Sequence, residues 1–178
     1  MNFDQKRAYP VITTRDALLA KLDELGIVTT TYDHEAVFTV DESEKLHDKI
    51  PGGHTKNLFV KDKKGKMFLL VVGAHATIDM KTLHKKLECA RLSFGKPDLL
   101  QEKLGITPGS VNAFCIINDE SDEVSILFDE TLMSHNEIAC HPMTNTATTV
   151  IARDDLEKFV KATNHEVTIM ALAEPAGE

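Results

Sequence analysis

The sequence predicts an α/β or α+β domain built around a mixed β-sheet. Three observations carry this reading. Short β-branched or apolar runs alternate with amphipathic runs along the chain. Two apolar runs, residues 57–60 and 67–72, flank the polar turn Asp62-Lys63-Lys64-Gly65-Lys66. That is a hairpin signature, and a purely parallel sheet has no hairpins. No Gly-x-Gly-x-x-Gly follows a strand, which disfavours a dinucleotide-binding sheet.

The elements follow in order. Residues 13–25 read as a helix: Leu18, Leu19, Leu22 and Leu25 share a face, Thr13 with Asp16 makes a capping-box-like start, and Gly26 ends it. Residues 27–32 are β-branched and predict a strand, and 41–47 a short polar helix. After the hairpin, Asp79 caps a helix bearing Met80, Leu83 and Leu87. Residues 91–94 read as a strand. Pro97 is suited to the first position of a helix over 97–104 that stops at Gly105. Residues 111–117 and 124–128 read as apolar strands joined by the acidic turn 118–123. Shorter strands are expected at 138–141 and 148–152. Asp154 with Glu157 opens a helix with Leu156, Phe159 and Val160 on one face, and 166–170 is a last strand. Residues 1–12 and 172–178 read as loose ends.

A chain of 178 residues fits one domain, 1–178, with its core over about 14–170. An apolar fraction of 42% and a charged fraction of 27% suit a soluble globular protein. The net charge of −8 argues against a general nucleic-acid coat protein but leaves room for a local basic site. The one dense basic patch is Lys61, Lys63, Lys64 and Lys66, either a contact for RNA or a solvated hairpin tip. Cys89, Cys115 and Cys140 are an odd count with no Cys-x-x-Cys, which fits free thiols in a reducing compartment. No apolar run approaches membrane-spanning length, so the expected location is the cytoplasm.

Several chemistries lack their patterns. The eight histidines form no His-Glu-x-x-His and no His/Cys cluster at ligand spacing, so no metal is expected. Ser110 lacks the flanking glycines of a nucleophile elbow. Cys140 and His141 are neighbours on a strand and point to opposite faces, which argues against a dyad. What remains is three separated segments. In the first, Pro51-Gly52-Gly53-His54-Thr55 reads as a small-residue loop leading to Lys56-Asn57. Its amides can approach an anion, and its lysine can hold a phosphate as a point charge. The second is the turn Thr107-Pro108-Gly109-Ser110-Val111, and the third is His141-Pro142-Met143-Thr144-Asn145. Each also has an ordinary structural reading: a solvated lysine, the start of a strand, a satisfied half-buried histidine.

At these residues the chain resembles the family of free-standing editing proteins related to the editing insertion of bacterial prolyl-tRNA synthetase. The similarity runs over about residues 14–167. It is carried by Lys56-Asn57-Leu58-Phe59 with Asp62-Lys63, by Lys96-Pro97-Asp98-Leu99-Leu100, by Leu104 through Val111, by Ile117-Asn118-Asp119, and by His141-Pro142 with Asn145 and Thr148. Within the family it is most similar to the branch that removes alanine from mischarged proline tRNA. The resemblance implies a mixed α/β fold with a mainly antiparallel, barrel-like sheet surrounded by helices. It implies hydrolysis of the ester between an amino acid and the terminal ribose of tRNA, with no metal and no cofactor. It assigns Lys56 to the phosphate or ribose of the terminal adenosine, Gly109 to the loop against the aminoacyl group, and His141 to the pocket. A substrate ribose hydroxyl and a bound water are expected to take part.

Gly53, His54, Thr55, Asn57, Ser110, Val111, Ala113 and Asn145 are the further substrate-binding expectations. Ala113 stands where the family pattern has proline, and proline would stiffen that loop. Three readings therefore stay open: an alanine deacylase, a deacylase for another small aminoacyl group such as cysteine or serine, and a catalytically silent tRNA- or partner-binding module. The expected partner is the acceptor end of tRNA, that of proline first, with prolyl-tRNA synthetase as a further one. No DNA and no membrane is expected.

Overall fold

The computed structural model describes residues 13–37 and 39–175. The first 12 residues, expected to be loose, lie outside this range, as do 176–178. Helix α1 is Arg15–Glu24, capped by the Thr14 hydroxyl, which accepts from the Ala17 amide at 3.2 Å. The cap is thus one residue beyond Thr13. Strand β1 is Thr29–Asp33. Helix α2, Val40–Lys49, is longer than expected because Thr39 and Glu42 form a reciprocal capping box ahead of it.

Strand β2 is Gly53–Asp62 and β3 is Met67–Gly73. Here the sequence reading needs correction. Residues 53–55 are not a loop; they are the first part of β2, and only Gly52, at φ 94°, has the left-handed backbone. The hairpin tip is as expected, with Gly65 at φ 93°. Asp79 accepts from the Lys81 amide and the Thr82 hydroxyl, but the helix it announces is one short turn, α3, Leu83–Lys86. Strand β4 is Leu92–Phe94, and α4 is Pro97–Leu104, closed by Gly105 at φ 61°.

The second correction concerns 111–117. Residues Ala113–Asn118 form a 3-10 helix, not a strand. Residues 112–116 of the run are all buried, so its apolar character carries no period that would tell strand from helix. Both edges of β3 are already taken by β2 and β5, so no strand position is free beside it. Strand β5 is Val124–Asp129, β6 is Glu137–Cys140, β7 is Ala147–Ala152, α5 is Arg153–Ala162 and β8 is Thr168–Met170. A short 3-10 turn, Leu132–Ser134, precedes β6. Residues 172–175 are not loose: Leu172 is fully buried, and the amides of Leu172 and Ala173 both donate to Asp129 Oδ1 at 2.9 Å.

The sheet order is β1-β7-β6-β2-β3-β5-β8, with β4 also paired to β2. The pairs β1/β7, β2/β3, β2/β4 and β6/β7 are antiparallel, whereas β2/β6, β3/β5 and β5/β8 are parallel, so the sheet is mixed as expected. Central β3 shows why its sequence is apolar without alternation. Met67, Leu69 and Val71 enter one core cluster with Phe114, Phe128 and Phe159; Phe68, Leu70 and Val72 enter a second with Val60, Leu83 and Leu172.

The acidic turn after the 3-10 helix is fastened by Asp119, 3% exposed. It accepts from His165 Nε2 at 2.9 Å, from Val124 N at 2.8 Å and from Glu123 N at 3.1 Å. Burial pushes its pKa up, but these bonds outweigh burial and hold it below the ordinary carboxylate value. A folded pKa below the unfolded one stabilises the fold fully above about pH 4. That stabilisation is lost as pH falls through the folded value. Melting temperature followed from pH 6 to pH 2 is expected to fall more steeply for the wild type than for Asp119→Asn, which starts lower. Parallel curves would show that Asp119 has no such role.

Candidate active site

The site lies where the sheet divides. Along one edge β2 pairs with β3 from Thr55 to Lys61. Along the other it pairs with β6 only at Gly53 and His54, and with β4 only from Val60 to Asp62. The stretch between is open, and a cavity of about 350 Å³ occupies the fork. Its wall comes from His54, Thr55, Lys56 and Asn57 of β2, from Ala139, Cys140 and His141 at the end of β6, and from Gly109 and Val111. Ser43, Leu46 and His47 of α2 cover it, with Val37, Ala74 and Thr148 completing the lining.

Strand alternation sorts these side chains. His54 and Lys56 project to one face of β2, Thr55 and Asn57 to the other. Lys56 Nζ donates to the Ala76 carbonyl at 2.5 Å. An ammonium has three donors, so two remain for a ligand. Thr55 Oγ1 donates to the Ala139 carbonyl at 2.9 Å, bridging the fork at its base. Asn57 Oδ1 is buried with no hydrogen-bond partner among the described residues. Gly109 sits at φ 91°, with nothing within 4 Å of where a Cβ would be, so backbone conformation and not crowding calls for glycine there.

The imidazoles have defined tautomers. His141 Nδ1 donates to the Ala147 carbonyl at 2.9 Å, which leaves its Nε2 as an acceptor when the ring is neutral. His34 Nδ1 donates to the Glu35 carbonyl, and its Nε2 is hydrogen-bonded to the Thr148 hydroxyl at 2.8 Å. The His34 and His141 ring centres are 6.3 Å apart. His54 Nε2 donates to the Ile50 carbonyl at 2.7 Å, and its ring lies 4.1 Å from that of His47. Burial is the main cause that lowers the pKa of His47, His54 and His141. Neighbouring imidazoles add to it, His54 and His75 for His47 and His34 for His141. Burial pushes the Cys140 and Cys115 thiols up to about 12, so neither is a thiolate nucleophile at neutral pH.

The fork thus brings together Lys56, Gly109 and His141 from three distant segments, along with His54, Thr55, Asn57 and Val111. Gly53 stands apart from the lining; a Cβ there would meet the His135 ring at 3.0 Å. Ala113 is fully buried at the start of the 3-10 helix, and Ser110 and Asn145 also lie off the cavity wall. The sequence reading missed His34, Ser43, His47 and Asn112, and named Thr148 only among the residues that carry the resemblance. Asn112 is fully buried and donates from Nδ2 to the Ser110 carbonyl at 2.9 Å, clipping the Gly109 turn; its Oδ1 has no partner among the described residues. His47 carried a faint signal, four residues after Ser43 on a polar helix, and the two are bonded at 3.1 Å. Asp119, Asp122 and His165 bring one ligand-type atom each within 4.8 Å, but they lie off the cavity lining.

The cavity thus presents the Lys56 ammonium with two donors left, imidazoles whose pKa burial lowers, a left-handed glycine turn and the protonated Cys140 thiol. The chain belongs to the aminoacyl-tRNA editing domain family, whose model matches residues 34–159. It is accordingly an aminoacyl-tRNA hydrolase. It is 42% identical over 149 residues to the prolyl-tRNA editing protein ProX of Acetoanaerobium sticklandii, covering 83% of this chain and 91% of that one. It is 35% identical over 162 residues to prolyl-tRNA synthetase associated domain-containing protein 1 of Danio rerio, covering 90% and 88%. A solved structure of a candidate trans-editing enzyme for prolyl tRNA synthetase superposes with a TM-score of 0.69 at 18% identity, covering 90% of this chain and 97% of that one. That last likeness speaks for the fold. Among the described residues no helix is long and apolar enough to cross a membrane.

Proposed function

We propose that the protein removes alanine from mischarged proline tRNA, acting in trans. The observation that carries this is the convergence of Lys56, Gly109 and His141 on one cavity. In this reading Lys56 holds the phosphate or ribose of the terminal adenosine. Amides of the Gly109 turn face the ester carbonyl and stabilise the oxyanion as it forms. A water, positioned by a ribose hydroxyl of the substrate and by His141 Nε2, attacks the ester carbon; the ester C–O bond breaks and the ribose oxygen leaves with a proton. Asn57, which also lines the cavity, binds the aminoacyl end. Ala113 supports an intact pocket, because the residue that departs from the family pattern packs in the core.

The test is release of radiolabelled amino acid from proline tRNA charged with alanine, cysteine, serine or proline. Alanine is expected to be released fastest and proline to be retained. Faster release of cysteine or serine would move the specificity to that group, and saturable tRNA binding without any release would make the chain a silent binding module. The pH profile carries a sign. His141 accepts a proton bond only when neutral, and burial lowers its pKa. Activity is therefore expected to stay level as pH falls through 6.5, the ordinary imidazole value, and to decline only below it. A decline centred above 6.5 would remove His141 from this role.

A further inference from the structure

We infer that the hairpin tip and β4 form a second RNA-binding surface that receives the unpaired 3′ nucleotides of the tRNA upstream of the terminal adenosine. This rests on the editing reading above and extends it from the cavity to the outer surface.

Phe94 is 61% exposed, one of the few large apolar side chains on the surface. It lies directly across β4 from Val60, so it projects to the face of the sheet that carries Lys56. Lys56 and Val60 are four residues apart on β2, about 13 Å at a strand's rise. The three unpaired nucleotides upstream of the terminal adenosine reach ~10 Å at ~3.4 Å per stacked step, most of that distance. The charged residues exposed at the tip and directly flanking β4 are cations: Lys63, Lys64 and Lys66 at the tip, Arg91 before β4 and Lys96 after it. None of these makes an ion pair among the described residues, in a chain where carboxylates outnumber cations 28 to 20.

The patch is also held in shape. Asp62, 2% exposed, turns inward and accepts from the amides of Lys64 at 2.8 Å, Lys66 at 2.9 Å and Ala90 at 3.0 Å. Lys63 N donates to the Arg91 carbonyl at 3.1 Å. One buried carboxylate thus locks the tip to the segment leading into β4. Glu88 and Asp98, the next carboxylates along the chain, lie outside this run. An exposed aromatic ring on β4, whose leading segment is tied to a hairpin tip of unpaired cations, is the kind of arrangement that stacks bases and tracks phosphates.

The test compares Phe94→Ala and the double variant Lys64→Ser with Arg91→Ser against the wild type. The substrates are alanyl-tRNA for proline and alanyl-adenosine, which carries the ester without upstream nucleotides. Each variant is expected to lose about tenfold or more in kcat/KM on the tRNA, to match the wild type on alanyl-adenosine, and, for the double variant, to show a shallower salt dependence. Variants equal to the wild type on tRNA would overturn the surface. Equal losses on both substrates would overturn it too, as damage to the fold or the cavity. A wild type that hydrolyses neither substrate overturns the editing reading instead. Binding of uncharged tRNA then decides the surface alone, and variants that bind as tightly as the wild type overturn it.

Discussion

Replacing Lys56 by alanine is expected to lower kcat/KM for alanyl-tRNA about 100-fold and to leave the fold intact. Its ammonium already has one acceptor, the Ala76 carbonyl, which fixes the side chain against the cavity wall. The remaining donors are placed before any ligand arrives, so little rotamer entropy is lost on binding. Hydrogen bonds to charged groups contribute about 1.5–3 kcal/mol each, and a 100-fold loss, about 2.7 kcal/mol, corresponds to one such bond at full strength or two weak ones. The effect on stability is small, because Lys56 is half-buried at the wall and its backbone pairing with Val72 survives truncation. Lys56→Arg is expected to recover only part of the activity, since a planar guanidinium cannot keep the Ala76 contact and present a compact charge at the same point. Deacylation by Lys56→Ala within threefold of the wild type, at equal melting temperature, would remove Lys56 from the site.

How much of this was legible in the sequence depends on how local each feature is. The hairpin was legible because Gly65 and four polar residues break two apolar runs, and α4 because Pro97 and Gly105 mark its ends. The start of β2 was misread because Gly52 and Gly53 suggest a loop. In the fold Gly53 is a strand residue kept small by the His135 ring, which is 82 residues away. The 3-10 helix was misread because a run with nearly every residue buried has no period. Lys56, Gly109 and His141 stood out through the family resemblance, but nothing local brings α2 over them. The His34–Thr148 bond that shapes the histidine wall spans 114 residues, and parallel neighbours such as β3 and β5 are joined by a long crossover. The resemblance at Asn118-Asp119 marks structure: Asn118 Nδ2 donates to the Leu104 carbonyl at 2.9 Å, and Asp119 fastens the turn.

The core beneath the site is where a single substitution should cost most. Phe114 is fully buried in the 3-10 helix and meets Phe159 of α5 edge-on, ring centres 5.3 Å apart at 83°. Phe114→Ala is expected to destabilise by about 3–5 kcal/mol, the range for emptying a buried aromatic position. For a chain of this size that is roughly 8–15 °C in melting temperature. The same helix begins directly after Asn112, whose Nδ2 holds the Ser110 carbonyl and through it the Gly109 turn. A cavity at Phe114 is therefore expected to loosen the Gly109 turn, which in the proposed mechanism faces the ester, and not only the core. Phe114→Leu separates the two effects, since it keeps an apolar side chain and costs less stability. At a temperature where this variant is fully folded, kcat is expected to fall more than KM rises, because an oxyanion donor out of place weakens the transition state more than the bound ester. Unchanged kcat in a folded Phe114→Leu would show that the Gly109 turn keeps its geometry without support from the 3-10 helix. A melting temperature of Phe114→Ala within about 3 °C of the wild type would show that α5 closes over the space.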